Sequence, residues 1–466
     1  MFIKKIKRIF AASKKLFNIK KGKNMNFYED LVWRGLVGQT IGNVEELLKT
    51  STTFYCGFDP TSISKDNLNP KFPEITSSLH IGHLLALVTC KRFQIHGHKP
   101  IMLVGGYTGL VGDGSFRTED RQLLSIEEVA NNTKCITKQI KHIVDCTDGN
   151  GMLVNNTEWL SKLSLLDFLR GIGKSVSLNY LLSKDSVKNR LEREGQGISI
   201  CEGVYGPIQG YDFVWLNRHY NCKLSINGTD QIGNATYASV IGRKLYGLSD
   251  NNFNIFAWPL VTKADGTKFG KSMSGSCIWL DPNLTTPYQF YQFWLNQTDV
   301  DAERFIKMFT LLSREEIEGI IAEHAKAPHL RLLQKRLAEE VTVMVHSKKD
   351  LEVAIAASEV LFGKSTKETL ETLDDATLLS VFDGVPVYEV DKNQFTDGVK
   401  LSVVGVEQTP TFKSKGELRK LIANGGVSLN KTKVGEDITI TKKDLLNDKF
   451  LLLQQGKKNY TLVVAK

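Results

Sequence analysis

Three neighbouring segments decide the fold class: TFYCGFD (53–59), LHIGHLLALVTCKRFQIH (79–96) and IMLVGG (101–106). The first is a short β-prone run, the second has helical periodicity, and the third is a continuous apolar run that ends in glycines. Continuous apolar runs are typical of strands buried on both faces, and strand–helix–strand alternation builds a parallel sheet. The sequence therefore predicts an α/β domain. The polar, Pro-rich stretch between Pro60 and Ser77 predicts a surface loop.

The rest of the chain predicts two further units. Residues 285–365 are expected to be mostly helical, with an apolar stripe that recurs every three or four residues at Leu330, Leu333, Leu337, Val341 and Met344. Residues 388–411 have no helical period and include Pro410, which indicates the approach to a separate C-terminal unit.

Composition and charge exclude several classes of protein. The chain has 466 residues, 41% hydrophobic and 24% charged, which suits more than one folded core and argues against a fibrous or disordered protein. Residues 1–24 hold nine Lys or Arg and no acid, whereas residues 25–466 hold 51 residues of each sign. A neutral body excludes histone-like binding by bulk charge but leaves room for local basic patches that contact nucleic acid.

The cysteines and the hydropathy argue against further classes of protein. Seven cysteines are scattered along the chain without a CxxC pair or a nearby His at metal-ligand spacing. This pattern indicates a reducing compartment and argues against a disulfide framework and against a zinc site, so we expect no protein-bound metal. No apolar run reaches 18 residues, and we expect no membrane association.

The basic extension at residues 1–24 has several interpretations. We predict a disordered extension or a misassigned start, because Met25 restarts the chain at MNFYEDLVWRGLV. A mitochondrial presequence, which is typically amphipathic and acid-poor, and a nucleic-acid-binding arm are the alternatives. We expect a cytoplasmic protein, or a mitochondrial one if the segment is a presequence.

The LHIGH segment (79–83) places His80 and His83 at the start of the predicted helix, after a Thr-Ser-Ser run at 76–78 that could cap it. Their spacing puts both imidazoles on one face, and the free N–H groups and dipole of a helix N-terminus attract phosphate. Gly82 leaves room for a flat ring. Two purely structural histidines are the alternative, since a lone HxxH pattern has low specificity.

A second segment, KADGTKFGKSMSG (263–275), carries Lys268 and Lys271 among glycines and serines. Such a loop suits a polyphosphate whose charge moves during reaction, although a solvated turn has the same composition. HIGH followed about 190 residues later by KFGKS is the paired signature of the class I aminoacyl-tRNA synthetases.

From Met25 to Lys466 the chain resembles a bacterial-type tyrosyl-tRNA synthetase. Eight blocks stand in the order of that family: WRGLV (33–37), YCGFDPT (55–61), LHIGH (79–83), TGLVGD (108–113), YxxxQxYDF (205–213), GTDQxGN (228–234), PLVTKADGTKFGKS (259–272) and PYQFYQFWLN (287–296). The resemblance implies a Rossmann-like, doubly wound parallel-sheet catalytic domain, then an α-helical domain and a small α+β RNA-binding module. The expected boundaries are 1–24 for the extension, 25–284 for the catalytic domain, 285–388 for the helical domain, 389–410 for a linker and 411–466 for the RNA-binding module.

The resemblance also implies a reaction. The enzyme would activate L-tyrosine with ATP, accompanied by Mg²⁺, to tyrosyl-adenylate and pyrophosphate, and then transfer the tyrosyl group to the 3′ end of tRNA(Tyr). A homodimer is expected. The residues implied for tyrosine are Tyr55, Asp113, Tyr205, Gln209, Asp212 and Gln231. Tyr55 and Asp212 would recognise the phenolic hydroxyl and Gln231 the carboxylate, and the others would hold the ammonium group.

Two overlapping sets are implied for ATP and for catalysis. The ATP-binding residues would be Gly57, Asp59, His80, Gly82, His83, Gly228, Asp230 and Lys271. The groups that stabilise the reacting phosphate would be Thr61, His80, His83, Arg117, Arg121, Lys268 and Lys271. No side chain is needed as a nucleophile, because the tyrosine carboxylate attacks, and catalysis would consist of positioning and charge stabilisation.

Residues 411–466 resemble an RNA-binding fold that the family shares with a ribosomal small-subunit protein. KSKGELRKLIANGGVSLN (413–430) predicts a short helix pair, and GKKNY (456–460) closes the module. Basic side chains on one face would neutralise tRNA phosphates, with a solvated basic face as the alternative. The candidates are Lys413, Lys415, Arg419, Lys420, Lys457 and Lys458.

Several positions depart from the pattern of the family, including the following four. Tyr107, Phe116, Asn227 and Ile232 replace a small residue, part of a Pro-Ser-Gly turn, a glycine and a tryptophan. Two alternatives to a standard enzyme therefore stay open. One is an active paralogue whose altered pocket rim resists an inhibitor or accepts a modified tyrosine, and the other is an RNA-binding protein without the activity.

Overall fold

The structure is a computed structural model that describes residues 26–61, 73–113, 123–191, 198–262, 264, 266, 269, 277–362, 367–382, 385–456 and 459–466. Several sequence predictions lie outside these residues, namely those on the 1–24 extension, Phe116, Arg117, Arg121, Lys268, Lys271, Lys457 and Lys458.

A six-stranded sheet forms the centre of the first unit, in the order β1-β6-β5-β2-β3-β4. Its strands are β1 Gln39–Ile41, β2 Thr53–Phe58, β3 Lys99–Val104, β4 Met152–Asn155, β5 Leu224–Gly228 and β6 Asn254–Trp258. All neighbours are parallel except the edge strand β1, which confirms the predicted parallel sheet. The strand order reverses between β2 and β5, so their carboxyl ends flank the crevice where open α/β sheets bind ligands.

Helices cover this sheet and carry the side chains around the crevice. They are α1 Phe27–Trp33, α2 Val44–Leu47, α3 Ile81–Ile95, α4 Thr108–Val111, α5 Ile126–Ile143, α6 Thr157–Leu160, α7 Leu165–Phe168, α8 Leu178–Leu182, α9 Asp185–Leu191, α10 Ile200–Tyr220, α11 Ile232–Ala235 and α12 Tyr237–Tyr246. The predicted helix at 79–96 is confirmed as α3, which is buried on most sides. The glycines of α10 allow close packing on α12, because a Cβ at Gly210 would lie 2.5 Å from the Cβ of Tyr237.

The predicted helical region is confirmed. It contains α13 Pro287–Leu295, α14 Asp299–Phe309, α15 Arg314–Lys326, α16 Leu332–Val345, α17 Lys348–Phe362, α18 Lys367–Glu371 and α19 Asp375–Val381. Leu333, Leu337 and Val341 are buried on α16 as predicted, whereas Leu330 is 47% exposed. The stripe starts after Leu330 because Arg331 adopts a left-handed φ of 53° and α16 begins only at the next residue.

The C-terminal unit begins earlier than predicted. Its sheet has the order β10-β9-β12-β13-β7, beside the pair β8-β11. Its elements are β7 Val387–Val390, α20 Gln394–Asp397, β8 Val399–Lys400, α21 Lys415–Ala423, β9 Val427–Leu429, β10 Thr432–Lys433, β11 Thr439–Ile440, β12 Phe450–Gln455 and β13 Asn459–Ala465.

Residues 389–410, predicted as a linker, are part of this unit. Strand β7 pairs in parallel with β13, and Phe395, Leu401 and Val404 are buried in the C-terminal core. These residues lack a helical period because the chain forms short strands and turns there. The helix pair predicted within 413–430 is likewise wrong, because the single helix α21 leads directly into β9.

Candidate active site

A cavity of about 530 Å³ opens at the carboxyl ends of β2 and β5. Every candidate tyrosine, ATP or catalytic residue within the described part of the chain lines it: Tyr55, Gly57, Asp59, Thr61, His80, Gly82, His83, Asp113, Tyr205, Gln209, Asp212, Gly228, Asp230 and Gln231. Residues that are up to 176 positions apart are thus brought together by the parallel sheet and α10.

Tyr55 on β2 and Asp212 on α10 are 3% and 2% exposed. The Tyr55 hydroxyl is shielded from solvent and has no partner at full hydrogen-bond geometry among the described residues, although the Ser225 side chain is close enough to interact with it. Burial raises the pKa of Tyr55 well above its ordinary value; the interaction with Ser225 lowers this pKa, and the nearby charge of Asp212 raises it. The phenol therefore stays protonated.

Two neutral donors hold the Asp212 carboxylate. Asn156 Nδ2 donates to Oδ2 at 3.0 Å, and Trp159 Nε1 donates to Oδ1 at 2.8 Å. Burial raises the pKa of Asp212 to about 7, although both hydrogen bonds lower it. The protonated form of Asp212 therefore persists to a higher pH than that of an exposed aspartate.

A hydrogen-bond network joins Asp212 to Asp59 on the other side of the cavity. Asn156 Nδ2 also donates to Thr108 Oγ1 at 3.0 Å, and Thr108 donates to Asp59 Oδ1 at 2.8 Å. The Tyr205 hydroxyl donates to Asp59 Oδ2 at 2.7 Å. Burial and the charges of Asp59 and other nearby carboxylates raise the pKa of Tyr205 well above its ordinary value, so this donor stays protonated.

Amide side chains organise a second group of carboxylates. Gln231 Nε2 donates to Asp113 Oδ2 and to Asp230 Oδ2, both at 3.1 Å. Asn234 Nδ2 donates to the Oε1 atoms of Gln231 at 3.2 Å and of Gln209 at 3.0 Å. Asn234 therefore fixes the orientation of two glutamines that face the cavity.

The two histidines of LHIGH form a stacked pair, as their spacing predicts. Their ring centroids are 4.0 Å apart. His80 Nδ1 accepts the Gly82 N–H at 3.0 Å, and His83 Nδ1 accepts the His80 N–H at 3.3 Å. Burial lowers the pKa of His80, and that of His83 to well below its ordinary value. Since both rings are neutral and each Nδ1 accepts, each ring carries its proton on Nε2 as a donor.

The Thr-Ser-Ser run at 76–78 does not cap α3, because the ring of His80 takes this role. Ser78 instead accepts hydrogen bonds from Gln139 Nε2 at 2.9 Å and from the Asp281 N–H at 3.2 Å. The run therefore ties the start of α3 to α5 and to the chain that follows the KFGKS segment.

The N–H groups expected to bind phosphate are already in use. Ile81 N–H donates to the Ile278 carbonyl at 3.1 Å and His83 N–H to the His80 carbonyl at 2.8 Å. With Gly82 bonded to the His80 ring, the first turn of α3 offers imidazole donors in place of free backbone N–H groups.

The cavity wall is acidic. Asp59, Asp113, Asp212 and Asp230 line it, and its described residues include no Lys or Arg. Within the described residues no group of three or more His, Cys, Asp or Glu side chains could hold a metal ion. This wall suits a ligand with an ammonium group, and cations to balance a polyphosphate must come from outside it.

Several residues of the site were not predicted from the sequence. Asn156, Trp159 and Thr108 support the carboxylates, and Cys56 and Ser225 also line the cavity. Asn156 and Trp159 follow β4, at the same sheet edge as the other site residues, and this position was an available signal. Of the family departures in the described residues, Asn227 lines the cavity and Tyr107 and Ile232 do not.

The basic candidates of the C-terminal unit lie apart from the cavity. Lys413, Lys415, Arg419 and Lys420 are exposed on or next to α21. Lys415 forms an ion pair with Glu407 at 2.5 Å, so part of its charge is already balanced.

Comparisons with known proteins agree with this geometry. A family model described as tRNA synthetases class I (W and Y) matches residues 74–363, and one described as Tyrosine--tRNA ligase SYY-like C-terminal domain matches residues 377–463. The tyrosine--tRNA ligases of Bacteroides fragilis and Bacteroides thetaiotaomicron are each 48% identical to the chain, covering 95% of it and 100% of their own length.

A solved structure resembles the chain as well. The C-terminally truncated mitochondrial tyrosyl-tRNA synthetase of Aspergillus nidulans matches with a TM-score of 0.63 and 28% identity, over 73% of this chain and 95% of its own. A parallel sheet with its cavity at the strand-order reversal, two signature segments and full-length similarity lead to one conclusion. The chain belongs to the class I tRNA synthetases for tryptophan and tyrosine, and within them to the bacterial-type tyrosine--tRNA ligases.

Proposed function

We propose that the protein activates L-tyrosine with ATP and transfers the tyrosyl group to the 3′ end of tRNA(Tyr). The observation that carries the proposal is the pair of Tyr55 and Asp212, an unpartnered buried phenol and a buried carboxylate beside one cavity. A substrate hydroxyl can accept from Tyr55 and donate to Asp212. A substrate without that hydroxyl leaves Tyr55 without this acceptor, at a cost of about 1–3 kcal/mol, and gives Asp212 no third donor beside Asn156 and Trp159.

The remaining polar groups suit the amino-acid end of tyrosine. The Asp113 carboxylate can pair with an ammonium group, and Tyr205 and Gln209 offer neutral oxygen acceptors. Gln231 carries N–H donors that match a carboxylate and that bond Asp113 and Asp230 in the free protein. Asn234 holds Gln231 and Gln209 in place, which reduces the entropy cost of binding.

For the chemical step, a carboxylate oxygen of tyrosine attacks the α-phosphorus of ATP, and the bond to the bridging oxygen of pyrophosphate breaks. The Nε2–H groups of His80 and His83 can donate to phosphate oxygens as their charge grows. Thr61 has the role of a further donor, and Gly57, Asp59, Gly82, Gly228 and Asp230 the role of the nucleotide contacts. A 3′-terminal hydroxyl of tRNA then attacks the acyl carbon and releases AMP.

Charge balance assigns further roles. Because the described cavity wall is acidic, the cations for the polyphosphate would come from Lys268, Lys271, Arg117 and Arg121 and from Mg²⁺. The metal ion would arrive with ATP and screen its phosphates.

We further propose contacts to tRNA, a homodimer and a cytoplasmic location. Lys413, Lys415, Arg419 and Lys420, with Lys457 and Lys458, would neutralise tRNA phosphates. Large exposed apolar side chains are frequent within 165–182, which supports an interface with a second copy. The bacterial origin of relatives such as the Bacteroides ligases supports the cytoplasm. No helix in the described residues is long and apolar enough to cross a membrane.

The test is pyrophosphate exchange by the full chain with tyrosine, phenylalanine, tryptophan and ring-substituted tyrosines, followed by charging of tRNA(Tyr). We expect exchange with tyrosine alone. Asp212→Asn should abolish it, whereas the matched control Asp148→Asn, on an exposed loop, should not. Preference for a substituted tyrosine would favour the paralogue, and no exchange with any amino acid would overturn the proposal. The comparisons give neither alternative support.

A further inference from the structure

Helix α14 is bonded to the chain just before KFGKS. Asp301 in its first turn is buried, and its Oδ1 accepts the Ala264 N–H at 2.9 Å. Arg304, one turn later, donates to the Thr262 carbonyl at 3.3 Å. The backbone that leads into the lysine segment is therefore tied to the N-terminal half of this helix.

Phe269, the aromatic residue of KFGKS, is seated on the same helix. Its ring centroid lies 4.8 Å from that of Phe305 and 5.3 Å from that of Phe309, both on α14. On the other side it contacts Phe293 and Trp294 of α13, at 5.7 and 5.8 Å. Lys268 and Lys271 are one and two residues from Phe269 in the sequence.

The other end of α14 is held by the helix that bears the two histidines. Arg92 on α3 donates through Nη2 to the Thr310 carbonyl, at the C-cap of α14. Arg34 adds hydrogen bonds to the Lys307 carbonyl at 3.0 Å and to the Leu312 carbonyl at 2.7 Å. Cationic donors are favourable at the negative end of a helix dipole.

This attachment is costly for a purely structural contact. Arg92 is 2% exposed, burial lowers its pKa to about 9, and its Nη1 has no partner among the described residues. An apolar side chain of similar volume would fill the site without burying a charge. What the arginine adds is a directional bond that fixes α14 relative to α3.

We propose that α14 is a rigid support shared by the two signature segments, with Asp301 and Phe269 as positioning residues for the activation step. The chain before KFGKS is bonded to the N-terminal half of α14, whereas Phe269 packs on Phe305 and Phe309 in its C-terminal half, at the end that α3 holds through Arg92. This inference rests on the proposed function, because it assigns these residues to the transition state for adenylate formation.

The test compares two matched pairs by pyrophosphate exchange in the full chain. Phe269→Leu is paired with Phe290→Leu, which alters a buried ring on α13 that does not contact Phe269. Asp301→Ala is paired with Asp299→Ala, since both remove an acid from the first turn of α14 and only Asp301 bonds Ala264. Thermal midpoints are measured for all four variants.

Phe269→Leu and Asp301→Ala should each lower kcat about 10- to 100-fold, as expected when a catalytic segment is misplaced, with KM for tyrosine within about twofold of the wild type. Both controls should keep kcat within about threefold of the wild type, even where their thermal midpoints fall as far as those of Phe269→Leu and Asp301→Ala. The proposal is overturned if kcat follows the thermal midpoint equally in variants and controls, or if KM changes instead of kcat. An inactive wild type would instead contradict the proposed function, so the two failures are distinguishable.

Discussion

Removing the Tyr55 hydroxyl should stabilise the free protein while it weakens the enzyme. In Tyr55→Phe the unpartnered buried oxygen is lost, and with it a desolvation cost of about 1–3 kcal/mol. The oxygen fills little volume, so the cavity left behind is small. We expect a net gain of about 1 kcal/mol or more, which corresponds to about 2–4 °C in the thermal midpoint of a cooperative unit of 150–250 residues.

The same change removes one hydrogen bond to a bound tyrosine. A neutral hydrogen bond contributes about 0.5–1.5 kcal/mol, which converts to a loss of about 2- to 12-fold in kcat/KM for tyrosine. Phenylalanine makes no such bond, so kcat/KM for phenylalanine should not fall. Selectivity for tyrosine over phenylalanine should therefore fall by at least the same factor.

Tyr205→Phe is the matched control, because it removes the same oxygen from a phenol that donates to Asp59 at 2.7 Å. A hydrogen bond to a carboxylate contributes about 1.5–3 kcal/mol, so this variant should be less stable than the wild type. Thermal unfolding without ligands and pyrophosphate exchange with both amino acids measure the two effects. A lower thermal midpoint in Tyr55→Phe, or unchanged selectivity, would refute the reasoning.

Three further predictions concern the Asp212 network and the C-terminal unit. Asn156→Ala removes a donor that lowers the pKa of Asp212, so the acid limb of kcat/KM for tyrosine should move above pH 7; a limb that moves down would contradict this. Lys431 donates to a carbonyl at the end of α17 and to the Tyr460 hydroxyl. Lys431→Asn, which suits the left-handed φ of 67°, should raise KM for tRNA and leave pyrophosphate exchange unchanged. Arg419→Gln should weaken tRNA charging and reduce the slope of log K against log salt by about 1, as measured by charging at several salt concentrations.

The sequence predicts the parallel sheet well because buried strands have a strong local pattern. TFYCGFD and IMLVGG are apolar on both faces, and their structure is set by that burial. The start of the C-terminal unit was predicted poorly, because its first strand lacks a strong local pattern. Strand β7 is an edge strand of four residues with one buried side chain, and its pairing with β13 depends on residues more than 70 positions later.

The site was predictable where its residues lie in compact motifs. Such motifs include LHIGH and GTDQxGN, whose side chains line one cavity. The capping of α3 was not predictable, because it depends on the distance from the His80 ring to Gly82 in three dimensions. Asn156 and Trp159 were missed for a related reason, since they contact Asp212 rather than the space for a ligand and have no motif of their own.

The buried polar groups of the site oppose stability and favour recognition at the same time. With a pKa raised from 3.8 to about 7 by burial, Asp212 in the folded chain holds a proton that the unfolded chain has released. Its contribution to stability therefore falls as pH rises from about 4 to 7, while the ionised form that accepts the hydroxyl of tyrosine becomes populated. The unpartnered Tyr55 hydroxyl adds a cost of the same kind. A bound tyrosine would give Tyr55 an acceptor and Asp212 a third donor beside Asn156 and Trp159, so part of the energy that the free fold gives up at these two residues would be recovered only with a ligand that carries a hydroxyl at that position. That selectivity depends on how deeply the two residues are buried and how they are placed, and neither property can be deduced from the composition or from a motif.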